Sequence, residues 1–160
     1  MALKHVRLHL DLYGDGEAKT EMEQRVKAQG VNDSIRFMGM IDRKVLFKKL
    51  VEYDIGLAYV PGGIYEAAPP LKTLEYLACG LPVLATNTLG NRMFVQDGVN
   101  GVLADSKPEV FSSAMVKLAE SDRLDELRAR ARASVESFDW TRIVKERLLP
   151  VYQSILPIAR

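Results

Sequence analysis

Glu66–Thr86, EAAPPLKTLEYLACGLPVLAT, reads as loop, helix, tight turn and buried strand. Pro69 and Pro70 close the loop. Proline fixes φ and lacks an N–H, so it suits the first turn of a helix, where that N–H has no partner. Leu71, Leu74, Leu77 and Ala78 then recur at helical spacing. Gly80 stands just past the last of them, where a helix stops. Pro82 opens the apolar run Val83-Leu84-Ala85, which suits a strand buried on both faces. A helix feeding such a strand is half of a parallel crossover, and this decides the fold class.

The flanking sequence repeats that alternation. In Val6–Tyr13, VRLHLDLY, Val6, Leu8, Leu10 and Leu12 face one way and Arg7, His9 and Asp11 the other, as in a strand with one polar face. Gly14-Asp15-Gly16 ends it. Glu17–Gln29 reads as a helix stopped by Gly30, and Ile35–Met38 as a short strand closed by Gly39. Asp42 is placed to cap a helix around Val45–Leu50. Asp54–Val60 is a mostly apolar third strand, and Pro61-Gly62-Gly63 opens the loop into the Leu71 helix. After the Val83 strand come a polar loop with Asn87 and Gly90, turn signals across Val95–Gly101, and a last strand at Val102–Ala104. Pro108–Glu120 and Arg123–Ser137 read as amphipathic helices. Asp139 caps a final helix from Trp140 to about Leu156, in which Pro150 predicts a kink or break. Its apolar residues Ile143, Leu148, Val151, Ile155 and Leu156 need a surface to cover.

Strand and helix in alternation predict an α/β domain, with a Rossmann-like parallel sheet flanked by helices, over residues 1–160. Ligands in such folds sit off the carboxyl ends of the strands. Gly14–Gly16, Gly39–Ile41, Pro61–Tyr65 and Asn87–Gly90 are therefore expected to share a rim with the start of the Leu71 helix.

Composition narrows the function. The chain has 160 residues, 48% apolar and 27% charged, with a net charge of +1, which argues against a nucleic-acid partner. The single Cys79 cannot form an internal disulfide, so a reducing, cytoplasmic setting is expected, with Cys79 as a small buried residue. His5 and His9 are the only histidines, and nothing completes a metal set with them. No stretch is long and apolar enough to span a bilayer. Gly14 and Gly16 lack the third glycine of a dinucleotide fingerprint, since Lys19 stands there, and this excludes an NAD site.

The chemistry sits at the front of the Leu71 helix. Its first N–H groups have no intrahelical acceptor and carry partial positive charge, so they can hold a phosphate. Lys72 adds a full charge there. Glu75 follows, and a carboxylate can accept from both hydroxyls of a ribose. Together these suit a nucleoside diphosphate; the same spacing also fits a solvated i,i+3 pair on a surface helix.

The order of landmarks is Tyr13-Gly14-Asp15-Gly16, Phe37-Met38-Gly39, Asp54-Ile55-Gly56-Leu57, the run from Pro70-Leu71-Lys72 to Leu81-Pro82-Val83, Asp97–Gly101 and Phe138-Asp139-Trp140. It resembles the C-terminal, donor-binding domain of GT-B fold glycosyltransferases of family 4, the retaining, glycogen-synthase-like kind. The resemblance implies a nucleotide-sugar donor such as a UDP- or GDP-hexose, hexosyl transfer to a hydroxyl, and no bound metal or other cofactor. By position it implies that Glu75 holds the ribose hydroxyls and that the backbone at Leu71 and Lys72 meets the distal phosphate. It implies that Met40 and Ile41 meet the base, and that Gly14 and Gly16 line the cleft. The family's other glutamate would fall at Ala67, so Glu66 serves only if the Ala67–Pro70 loop bulges. Pro70 replaces a frequent glycine and Met93 a frequent glutamate. No residue is assigned a catalytic role.

The resemblance also implies a missing first strand and helix, with their basic pair, and a missing acceptor-binding N-terminal domain. The chain is therefore expected to be truncated at its N-terminus and inactive alone, with any membrane contact made through the missing half. The Val6–Tyr13 and Asp54–Val60 strands are expected to pair directly, or a second copy to fill the gap. The alternative is a non-catalytic module that assembles with a separate N-terminal partner or with itself. A nucleotide-sugar epimerase is a third option, without an added acid or base residue to favour it.

Overall fold

The computed structural model describes residues 7–61 and 63–155. His5, Val6, Gly62 and Leu156, which enter the sequence reading, lie outside the described residues. The chain divides into two compact units, Met1–Glu52 and Tyr53–Arg160.

In the first unit, β1 (Leu10–Tyr13) is followed by α1 (Lys19–Ala28), β2 (Ile35–Gly39) and α2 (Arg43–Leu50). The two strands pair in parallel, with Asp11 opposite Arg36. Arg36 Nε and Nη2 donate to the two Asp11 carboxylate oxygens at 2.7 and 2.8 Å, so the polar face of β1 is closed by a bidentate cross-strand pair. Asp42 caps α2 as expected, accepting from Lys44 N–H at 2.8 Å.

The second unit runs β3 (Gly56–Ala58), a 3₁₀ turn (Gly63–Tyr65), α3 (Leu71–Ala78), β4 (Val83–Thr86), α4 (Leu89–Arg92), β5 (Gly101–Ala104), α5 (Pro108–Ala119), α6 (Leu124–Ala131) and a 3₁₀ segment (Ala133–Phe138). The last helical stretch is α7 (Trp140–Ile143), a π turn (Val144–Leu148) and α8 (Leu149–Ile155). The parallel strand order is β3-β4-β5. All four residues of β4 are buried. Val83 and Ala85 pack with Ala58, Leu77, Phe94, Val95, Ala131 and Val135 on one face. Leu84 packs with Ala104, Leu118 and Leu127 on the other. The period of two thus sends alternate side chains into separate cores, each roofed by helices. Gly80 follows α3 at φ 78°, the left-handed conformation that ends a helix.

Two expectations change. The direct pairing of the first and third strands is not made: among the described residues β1 pairs with β2, and β3 with β4. Each of these ladders joins strands linked by one helical crossover, and no single crossover links β1 to β3. Pro150 does not break the final helix. The hydrogen-bond register widens just before it, Leu149 N–H bonding to Val144 O, so the missing proline N–H falls where the α-register has already been interrupted. Leu148, Val151 and Ile155 on this stretch remain exposed, as does Trp140.

Leu84→Ala opens a cavity in a core that is shut on every side. We expect it to lower the unfolding free energy by about 2–5 kcal/mol, measured by urea titration.

Candidate functional site

The start of α3 is built from both directions along the chain. Pro70 is the N-cap and supplies no side-chain hydrogen bond. Thr73 N–H bonds back to Pro70 O at 3.0 Å, while the N–H groups of Leu71 and Lys72 come before this first donor and have no intrahelical acceptor. Leu71 and Lys72 are exposed, Glu75 is half-buried, and Thr73 and Leu77 point into the core. One amphipathic helix therefore carries the core on one side and the candidate site on the other.

Lys72 is not loose in solvent. Its Nζ donates to Tyr59 O at 2.8 Å, beyond the end of β3. Loss of water around the ammonium pushes its pKa below the usual lysine value. Tyr59 is itself fixed, its hydroxyl donating to Ser106 O at 3.1 Å and its ring lying edge-on to Phe111 at 5.3 Å. Burial, then the Glu75 charge, raise the Tyr76 hydroxyl and the Cys79 thiol, although Arg132 acts oppositely on the thiol. Cys79 is half-buried, not fully buried as the sequence suggested, and a thiol kept protonated is a poor nucleophile.

The loop before α3 is pinned by α4. Gly90 N–H donates to Glu66 O at 2.9 Å. Glu66 Oε1 accepts from Leu89 N–H at 3.1 Å, so the structure turns this carboxylate toward the start of α4. There it lines a cavity of about 150 Å³ with Thr86, Asn87, Thr88, Asp105 and Ser106, off the carboxyl ends of β4 and β5. A side chain on Gly90 would collide with the Ala68 carbonyl, so the glycine is what lets α4 approach the loop.

In the first unit, the turns after β1 and β2 lie together. Gly14 N–H donates to Gly39 O at 2.9 Å, with φ of 137° and 68° at the two glycines. Gly16 N–H is held by Asp15 Oδ1 at 2.8 Å. Met40, just beyond Gly39, is 74% exposed and Ile41 is half-buried. Gly14, Gly16, Met40 and Ile41 thus gather at the carboxyl ends of one parallel pair, as the rim rule requires. Among the described residues, no three of His, Cys, Asp and Glu converge as metal ligands, and no helix is long and apolar enough to cross a membrane.

The sequence reading missed the buried polar set behind α3: Thr73, Thr86 and Asn91 are each 0% exposed. Thr73 and Thr86 fall inside the apolar patterns of a helix and a strand, and Asn91 in a polar loop, so periodicity offers no signal for any of them.

Residues 1–121 match the family described as glycosyl transferases group 1. The chain belongs to the group 1 glycosyltransferases. This glycosyltransferase chain is 33% identical over 128 residues to the D-inositol 3-phosphate glycosyltransferase of Geodermatophilus obscurus, covering 80% of this chain and 27% of that relative. Its fold matches the pneumococcal O-GlcNAc transferase GtfA, solved with UDP and GlcNAc, at TM-score 0.74 and 22% identity, over 92% of this chain and 30% of that one. It also matches Anabaena Alr3699/HepE, solved with UDP and glucose, at TM-score 0.70 and 20% identity, over 92% of this chain and 41% of that one. The chain thus spans well under half the length of these proteins.

Gly90→Ala must push α4 and the Glu66–Pro70 loop apart. We expect a loss of about 1–3 kcal/mol in urea unfolding, the range for overpacking a tight site.

Proposed function

We propose that this chain is the donor-binding part of a glycosyltransferase that moves a hexose from a nucleotide sugar to a hydroxyl acceptor, with retention. The observation that carries the reading is the placement of Lys72. Its ammonium stands at the uncapped start of α3, anchored on one carbonyl, with Glu75 one turn behind. An ammonium has three N–H donors. With one on Tyr59 O, others can turn to a phosphate oxygen beside the first-turn N–H groups of Leu71 and Lys72. As the bond from sugar to diphosphate breaks, charge grows on the diphosphate, and these donors stabilise it most at that moment. Glu75 accepts from the ribose hydroxyls and fixes the nucleotide. On the first unit, the family resemblance supports Met40 and Ile41 as base contacts and Gly14 and Gly16 as donor-binding positions. Glu66 is a weaker donor-site candidate, because its carboxylate is engaged by Leu89 N–H.

The GtfA and HepE structures are named as complexes with UDP, which supports a nucleoside diphosphate as the ligand class. Residues 1–160 then form one donor domain, which needs an acceptor-binding partner domain for turnover and is inactive without it. The single Cys79 suits a reducing, cytoplasmic setting. The family resemblance implies no bound metal. A second reading, a non-catalytic assembly module, draws on the exposed Trp140, Leu148, Val151 and Ile155 of the last helical stretch.

Calorimetry with UDP, GDP and ADP tests the proposal. One nucleotide should bind, and Glu75→Ala should cost about 1.5–3 kcal/mol, the worth of hydrogen bonds to a charged group. Binding of none, with dimers by light scattering, would favour the assembly reading.

Binding should also depend on pH with a definite sign. Desolvation has lowered the Lys72 pKa in the free protein, and a bound diphosphate raises it again. The complex therefore takes up a proton as pH passes through the free-state pKa. Affinity should be flat below that pKa and fall above it. Calorimetry from about pH 8 upward, above the second ionisation of the terminal phosphate, checks this, and Lys72→Ala should flatten the profile.

A further inference from the structure

A closed ring of hydrogen bonds runs behind Lys72. Its Nζ donates to Tyr59 O at 2.8 Å. The next residue, Val60, is clamped by Thr86: its N–H donates to Thr86 Oγ1 at 2.9 Å, and Oγ1 donates to Val60 O at 2.8 Å. Asn91 Nδ2 donates to Thr86 O at 2.8 Å and reaches Thr86 Oγ1 at 3.2 Å and Ala58 O at 3.4 Å. Asn91 Oδ1 accepts from Thr73 Oγ1 at 2.8 Å. Thr73 is the residue after Lys72, and the ring closes.

The Thr86 hydroxyl is used to capacity. The Thr86 hydroxyl has one hydrogen and two lone pairs, and all three are engaged. The Asn91 amide is oriented without ambiguity, since a flip would set its oxygen against the Thr86 and Ala58 carbonyls. Among the described residues no buried side-chain nitrogen or oxygen lacks a partner. A fully satisfied buried polar set fixes geometry more tightly than apolar packing does, because any displacement strands a group in low dielectric. Here it ties the first turn of α3 to the carboxyl ends of β3 and β4. It therefore holds both the residue that carries the ammonium and the carbonyl that receives it.

We propose that Thr73 and Asn91 are positioning residues for Lys72, setting where its ammonium meets a diphosphate. What Lys72 does there rests on the donor-site reading above; that it is held by this ring does not. Neither residue touches ligand. They act by removing the freedom of α3 to slide or rotate against the sheet, so that the Lys72 ammonium stays in reach of Tyr59 O and of the ligand.

The test uses the full chain with Thr73→Val, Thr73→Ser, Lys72→Ala and the Lys72→Ala/Thr73→Val double variant. Valine matches threonine in shape but cannot donate to Asn91, whereas serine can. Calorimetry with UDP and with inorganic pyrophosphate should show Thr73→Val roughly three- to tenfold weaker, the worth of one hydrogen bond, and Thr73→Ser at the wild-type value. In the Lys72→Ala background Thr73→Val should change nothing further. NMR of lysine side chains, with the Lys72 signal assigned by its loss in Lys72→Arg, gives the second readout. In Thr73→Val, the Lys72 titration should move up toward the usual lysine value; in Thr73→Ser it should not move. Wild-type affinity and wild-type Lys72 titration in Thr73→Val would overturn the proposal, as would an equal loss of affinity with and without Lys72. If wild-type protein binds neither probe, the donor-site reading fails, and the Lys72 titration alone decides the role of Thr73.

Discussion

Covering β4 on both faces is the constraint from which the Tyr53–Arg160 unit follows. Each of its four residues is buried, and burial of apolar side chains is worth about 25 cal/mol for every Å² removed from water. The strand must therefore have a parallel neighbour on each side and helices above and below. α3 and Ala131 of α6 meet the Val83–Ala85 face, and α5 with Leu127 of α6 meets the Leu84 face. With both faces and both edges of β4 occupied, its carboxyl end is left for polar chemistry. There the apolar run gives way to Thr86, still fully buried but now with a hydroxyl that must be satisfied.

That requirement couples core to site. Meeting the Thr86 hydroxyl brings in Val60 and Asn91, and meeting Asn91 brings in Thr73 on α3. The helix is thus located by apolar contacts along Leu77 and by directional hydrogen bonds at its first turn. Its outward face, with Lys72 and Glu75, inherits the precision of its inward face. Electrostatic stabilisation depends on such prior placement, since donors already aimed at an anion need little reorganisation when charge develops. The backbone contact of Gly90 with the Glu66–Pro70 loop fixes the approach to the helix from the other side.

The first unit solves a similar problem with charge. β1 has a polar face, and Asp11 is only 4% exposed because Arg36 covers it. The pair sits three residues short of the Gly14–Gly39 contact on each strand, so it steadies the strand ends from which the glycine turns leave.

Much of this was legible in the chain. The order of strands and helices, the α3–Gly80–β4 unit, the caps at Asp42 and Asp139, and the candidate residues on α3 follow from periodicity, proline and glycine placement and short-range capping, all of which act within a few residues. Tertiary structure decided the rest. It carried the last helix past Pro150 with a change of register and turned Glu66 toward α4. It also placed Asn91 within 2.8 Å of a helix residue eighteen positions earlier in the chain. Sequence by itself determined what each segment prefers, because those preferences are local. Which buried polar groups must satisfy one another is a property of the packed interior, where partners distant in the chain are adjacent and water is no longer there to substitute for them.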